Sequence, residues 1–131
     1  MSKTNPLLSI FLILFGALYC LLYPMLLIWP SGWAWHHGSP AANDYFMMIC
    51  FVYITMGIFM IRAARNPAAH ASLIWFVIWS SVAHAAVMTW EAFRTPMMMG
   101  HLIGDIPALI VAAGVLAYLM RHEPSPAQAA V

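Results

Sequence analysis

The chain has 131 residues, of which 64% are hydrophobic and only 7% charged, and its mean hydropathy is +0.85. A soluble domain of ordinary composition carries about 25% charged residues, so this chain lacks the polar surface that water requires. The formal net charge of +1 gives no reason to expect a nucleic-acid partner.

Four apolar runs fill most of the sequence: residues 7–29, 44–62, 73–93 and 101–120. Each approaches the ~20 residues that an α-helix needs to cross a ~30 Å hydrocarbon core. The pattern predicts an all-α integral membrane protein, a four-helix bundle running up-down-up-down. Residues 1–122 form a single domain in this reading, and 123–131 form a polar tail that is disordered by composition.

The first run follows Lys3, as a signal peptide would, but it is longer than the ~7–15 apolar residues of an h-region and no small-residue cleavage site follows. It reads as a retained span. Pro6 stands at its entrance, where a missing N–H costs little, whereas Pro24 lies inside and should free the carbonyl of Cys20 and bend the outer half. Cys20 lacks the small residues that precede a lipidated cysteine. With Cys50 it is expected to be a free, buried thiol.

The loop 30–43 contains Pro30, Gly32, Gly38 and Pro40 and should be irregular. The second run ends at Arg65, Asn66 and Pro67, and Ser72 is a candidate N-cap for the third. A fourth span beginning only after Pro107 would reach about 21 Å, too short to cross, so it should begin near His101 with Gly104, Asp105 and Pro107 in its first turns. Ala108, Ala112, Ala113, Gly114 and Ala117 then offer small residues for close packing.

Basic residues set the orientation. With both termini cytoplasmic, Lys3, Arg62, Arg65 and Arg121 face inward and Arg94 alone faces out, the excess that the positive-inside rule requires. Trp29, Trp33, Trp35 and Trp90 then fall near the outer boundary, where indole rings favour the headgroup level.

His84 is the residue that most needs a partner, because about 16 Å of helix separate it from Leu73 and place it near the bilayer midplane. Ser80, Ser81, Met88 and Glu91 share its face at helical spacing. Counting back about 14 Å from Arg62 puts Tyr53 nearly level with it, so a Tyr53–His84 hydrogen bond is expected. Nearer the outer side lie Asp44, Glu91, Arg94, His101 and Asp105, with His36 and His37 in the loop, and Glu91 is expected to pair with Arg94.

Tyr53, His84, Met88, Glu91, His101 and Asp105 are therefore the candidate lining of an outward-facing pocket for a small apolar or aromatic molecule. A second reading is a metal centre. His101, Asp105 and Glu91 are its candidate ligands, and Met88, Met97, Met98 and Met99 add the soft sulfur that suits copper. Haem fits less well, because a regular helix count separates His84 from His101 by about 15 Å in depth. The sequence contains no H-E-x-x-H, G-x-S-x-G, C-x-x-C or glycine-rich phosphate loop, so the reading leans away from an enzyme. The inner half holds no carboxylate for a proton path, and transporter-type inverted repeats do not stand out. Ala and Gly faces leave a homo-oligomer open.

Several strings carry a family resemblance: Tyr23-Pro24, Trp29-Pro30-Ser31-Gly32-Trp33, Ser72-Leu73-Ile74-Trp75-Phe76, Trp79-Ser80-Ser81-Val82-Ala83-His84-Ala85 and Gly100-His101-Leu102-Ile103-Gly104-Asp105-Ile106-Pro107. From about Pro6 to Met120 the chain resembles the BphX-like group of small bacterial four-span proteins and its relatives of unknown function. The resemblance implies a bacterial inner-membrane location and the same topology. It implies no activity and no catalytic residues.

Overall fold

The computed structural model describes residues 5–30 and 38–122. The expectations for Lys3, for Trp33, Trp35, His36 and His37, and for the tail 123–131 lie outside the described residues.

Five α-helices follow in order: α1 (Pro6–Cys20), α2 (Leu22–Ile28), α3 (Asp44–Ala63), α4 (Ala71–Arg94) and α5 (Asp105–Arg121). Three-ten segments at Pro40–Ala42, Pro67–His70 and Pro96–Leu102 lie between them. Every described element is helical, and α3, α4 and α5 with their three-ten leads give three helices long and apolar enough to cross a membrane. The bent pair α1 and α2 makes four if it counts as one span.

That bend is 62° and falls at Leu21. Pro24 supplies the cause, since its ring nitrogen cannot donate to the Cys20 carbonyl and its ring crowds the preceding turn. Asparagines start two of the helices. Asn5 Oδ1 accepts from the Leu7 amide at 3.1 Å, and Asn43 Oδ1 accepts from the Phe46 amide at 2.9 Å.

Two expected boundaries move. Ser72 is not the N-cap of α4, because Pro67 opens a three-ten turn that runs to His70 and the α-helix starts at Ala71. The fourth span is not regular from His101 either. His101 belongs to the three-ten segment, Gly104 caps, and the α-helix begins at Asp105 with Pro107 in its first turn, where no amide donor is needed.

Helix α1 packs chiefly on α3 and α4 on α5, with a smaller contact between α1 and α5. Leu8, Leu12, Met60, Ile74, Val77 and Leu116 are buried where the helices meet. The α1–α3 contact is a glycine contact: a Cβ on Gly57 would sit 2.5 Å from the Gly16 carbonyl oxygen, and one on Gly16 would sit 2.7 Å from that of Gly57. Small residues let backbones approach this closely. Ala112 and Ala113 are likewise buried in α5, but Gly114 points to open space and takes no part in packing.

The outer surface of the helices is apolar. Phe76, Trp79, Trp90, Phe93 and Tyr118 are all more than half exposed, far beyond the scattered apolar residues of a water-soluble surface. Three hydroxyls inside the helices are turned back on their own backbone: Thr55 donates to the Phe51 carbonyl, Thr89 to Ala85 and Ser80 to Val77. In lipid such bonds replace the water that is missing. These features make the chain a membrane protein in composition and in surface.

Candidate functional site

A cavity of about 290 Å³ opens among the helices, lined by residues of all five and of the three-ten segment before α5. Most of its wall is hydrocarbon, aromatic ring or thioether: Phe15, Leu18, Leu22 and Leu26 from α1 and α2, Phe46 and Ile49 from α3, and Ala108, Leu109 and Ala112 from α5. Met88 and Met98 add adaptable sulfur side chains. The bend at Leu21 matters here, because it aims α2 away from the axis of α1 while Leu22 and Leu26 still reach the cavity.

Five polar residues line the cavity, Tyr19, Tyr53, His84, His101 and Asp105, and each holds a hydrogen bond. Tyr53 Oη lies 2.9 Å from His84 Nδ1, the expected bond. The phenol has no other partner among the described residues, so satisfying its hydrogen there requires that it donate to the imidazole. Tyr19 meets Ser81 at 3.2 Å between hydroxyl oxygens, and its ring packs edge-on against Tyr53 with centroids 5.0 Å apart. His101 Nδ1–H donates to Asp105 Oδ1 at 2.8 Å, and both side chains are about nine-tenths buried. Both tyrosine bonds link the α1–α3 pair to α4. The imidazole–carboxylate bond ties the three-ten segment to the first turn of α5, where a carboxylate also faces unpaired helix amides.

Of the six residues expected around a pocket, five line this cavity: Tyr53, His84, Met88, His101 and Asp105. Glu91 does not. It is half-buried outside that lining, whereas the segment Pro96–Leu102, packed against α4, contributes Met98 and His101. Glu91 and Arg94 form no ion pair among the described residues, where the one imidazole–carboxylate contact is His101–Asp105. The Arg94 guanidinium lies over the Trp90 ring, 5.6 Å from its centroid.

The depth count that separated His84 from His101 assumed a regular helix. The three-ten segment breaks that assumption, and both imidazoles line one cavity. Among the described residues no three His, Cys, Asp or Glu side chains gather closely enough to hold a metal ion. Cys20 and Cys50 are free thiols, and the Cys20 thiol lies 3.7 Å from the Ile54 carbonyl.

Sequence reasoning missed Tyr19, although a signal existed: a tyrosine deep in a span must place its hydroxyl somewhere. The apolar lining from α1, α2 and α5 had no signal, since a helix hydrophobic all round does not reveal which face meets a cavity.

The chain belongs to a family of unknown function, DUF6632, whose model matches residues 3–128. The expectation of a family without an assigned function holds at that level, and the match does not extend to the BphX-like group. No curated protein and no solved structure matches the chain.

Proposed function

We propose that this member of a family of unknown function is a non-enzymatic membrane bundle that binds one small apolar molecule in the cavity between its helices. The observation that carries the proposal is the cavity, about 290 Å³ with an almost wholly apolar wall and a few fixed polar groups. Ligand sites have this composition, in which apolar wall supplies affinity and few polar groups supply orientation.

The proposal includes a topology and a location. The bundle runs up-down-up-down with both termini cytoplasmic, in the bacterial inner membrane. Gly16 against Gly57 and Cys20 against Ile54 support opposite directions for α1 and α3. The basic residues Arg62, Arg65 and Arg121 support a cytoplasmic end, and the resemblance to small bacterial four-span proteins supports the location. In this orientation the cavity occupies the outer half of the bundle.

Photolabelling tests the pocket directly. A small apolar aryl diazirine, added to the full chain in lipid nanodiscs, should label the lining residues Met88 and Met98 in a component that excess naphthalene competes away. Ala108→Trp should remove that component. Ala108 lines the cavity yet is exposed, so the larger side chain enters without crushing the packed seam. Labelling confined to lipid-facing side chains, with no saturable part, would refute the proposal.

A further inference from the structure

The polar groups of the cavity also constrain the chemistry of the ligand proposed above. Asp105 as a carboxylate can only accept, so a neutral His101 ring holding this bond carries its hydrogen on Nδ1 and leaves Nε2 with an unshared lone pair. His84 is the reverse. Tyr53 donates to its Nδ1, so its hydrogen sits on Nε2. Neither Nε2 has a hydrogen-bond partner among the described residues, and both rings line the cavity. One acceptor and one donor therefore remain to be satisfied in a space with little other polarity.

A hydroxyl group supplies both complements, since it donates one hydrogen and accepts into its lone pairs. A carbonyl accepts only, and an ammonium donates only. The remainder of the wall favours an aromatic body. Tyr19, Tyr53, Phe15 and Phe46 present rings, and Met88 and Met98 present sulfur, which packs well at ring edges. The volume sets the size: about 290 Å³ is roughly twice the ~150 Å³ of an apolar cavity that holds benzene, so a two-ring body fits.

We infer that the cavity selects an uncharged aromatic alcohol, whose hydroxyl donates to His101 Nε2 and accepts from His84 Nε2–H. This inference rests on the pocket proposed above and names the chemistry of its ligand.

The test is a panel of four naphthalene-based probes of similar size, titrated calorimetrically against the full chain in nanodiscs with empty nanodiscs subtracted: naphthalene, naphthol, acetonaphthone and naphthylmethylamine. Naphthol should bind about tenfold or more tighter than naphthalene, the factor expected when buried polar groups gain partners. It should also exceed the ketone and the amine. In Tyr53→Phe and in Asp105→Asn, which release one imidazole each from its fixed tautomer, the ratio of naphthol to naphthalene affinity should shrink.

Other outcomes are distinct. Equal binding of naphthalene and naphthol would leave the pocket standing and overturn the inference. Tighter binding of the ketone would mean that both imidazoles donate, and tighter binding of the amine would make Asp105 a cation anchor; either overturns it. Binding of none of the four would overturn the pocket itself and the inference with it.

Discussion

A phenol and an imidazole in the middle of an apolar span have no water to fall back on, so each must find the other or something equivalent. Tyr53 and His84 do so at 2.9 Å, and the level at which they meet was readable from helix rise alone. The same reasoning failed for Glu91 and Arg94. Near the end of a helix a long side chain has choices, and Arg94 takes the Trp90 ring. We predict that Tyr53→Phe costs about 1 kcal/mol in a denaturation series in detergent, because it strands an imidazole nitrogen. His84→Leu should also destabilise, since it strands the Tyr53 hydroxyl in its turn. His122→Ala is the control. His122 is exposed, and among the described residues its side chain meets only Tyr118, by a bond to its carbonyl and a ring contact at the last turn of α5, so the change should stay within about 0.5 kcal/mol. Equal losses at His84 and His122 would remove the special standing of the central bond.

At the scale of elements, punctuation was legible and facing was not. Pro24 announced the bend, and the composition announced the spans, because both depend on chemistry local to the chain. Which small residues meet another helix is a tertiary property. The run of alanines and glycine on α5 marked Gly114 as readily as Ala112, yet Gly114 faces open space and the close approach occurs at Gly16 and Gly57, which no spacing rule singled out. Gly57→Ala should therefore lower the melting temperature in detergent by several degrees, because the obstructing atom is backbone oxygen and cannot swing away. Gly114→Ala should leave it level or raise it slightly, since alanine favours the helix. A loss at Gly114 as large as at Gly57 would show that its face is packed in the membrane. The fourth span does extend upstream of Pro107 through His101, as crossing length demanded, but the chain meets that demand with a three-ten segment, which rises about 2.0 Å per residue, rather than with regular α-helix.

For the whole molecule, the proposed function gives the apolar exterior and the polar-edged cavity one explanation, a bundle solvated by lipid outside and by a small guest within. Topology is open to a direct check. In a Cys20→Ala, Cys50→Ala background, Ala41→Cys should react with an impermeant maleimide on intact cells, and Asn66→Cys only after permeabilisation. The opposite pattern would invert the bundle and place the cavity toward the cytoplasm. The central claim is that the cavity takes a guest, and methionine offers the most direct probe of it. Among the methionines of the described residues, only Met88 and Met98 line the wall. With methionine methyl groups isotopically labelled in nanodisc-embedded protein, naphthol should shift those two resonances saturably and leave the others in place. No saturable shift at Met88 and Met98, or one uniform drift of all resonances, would contradict the account.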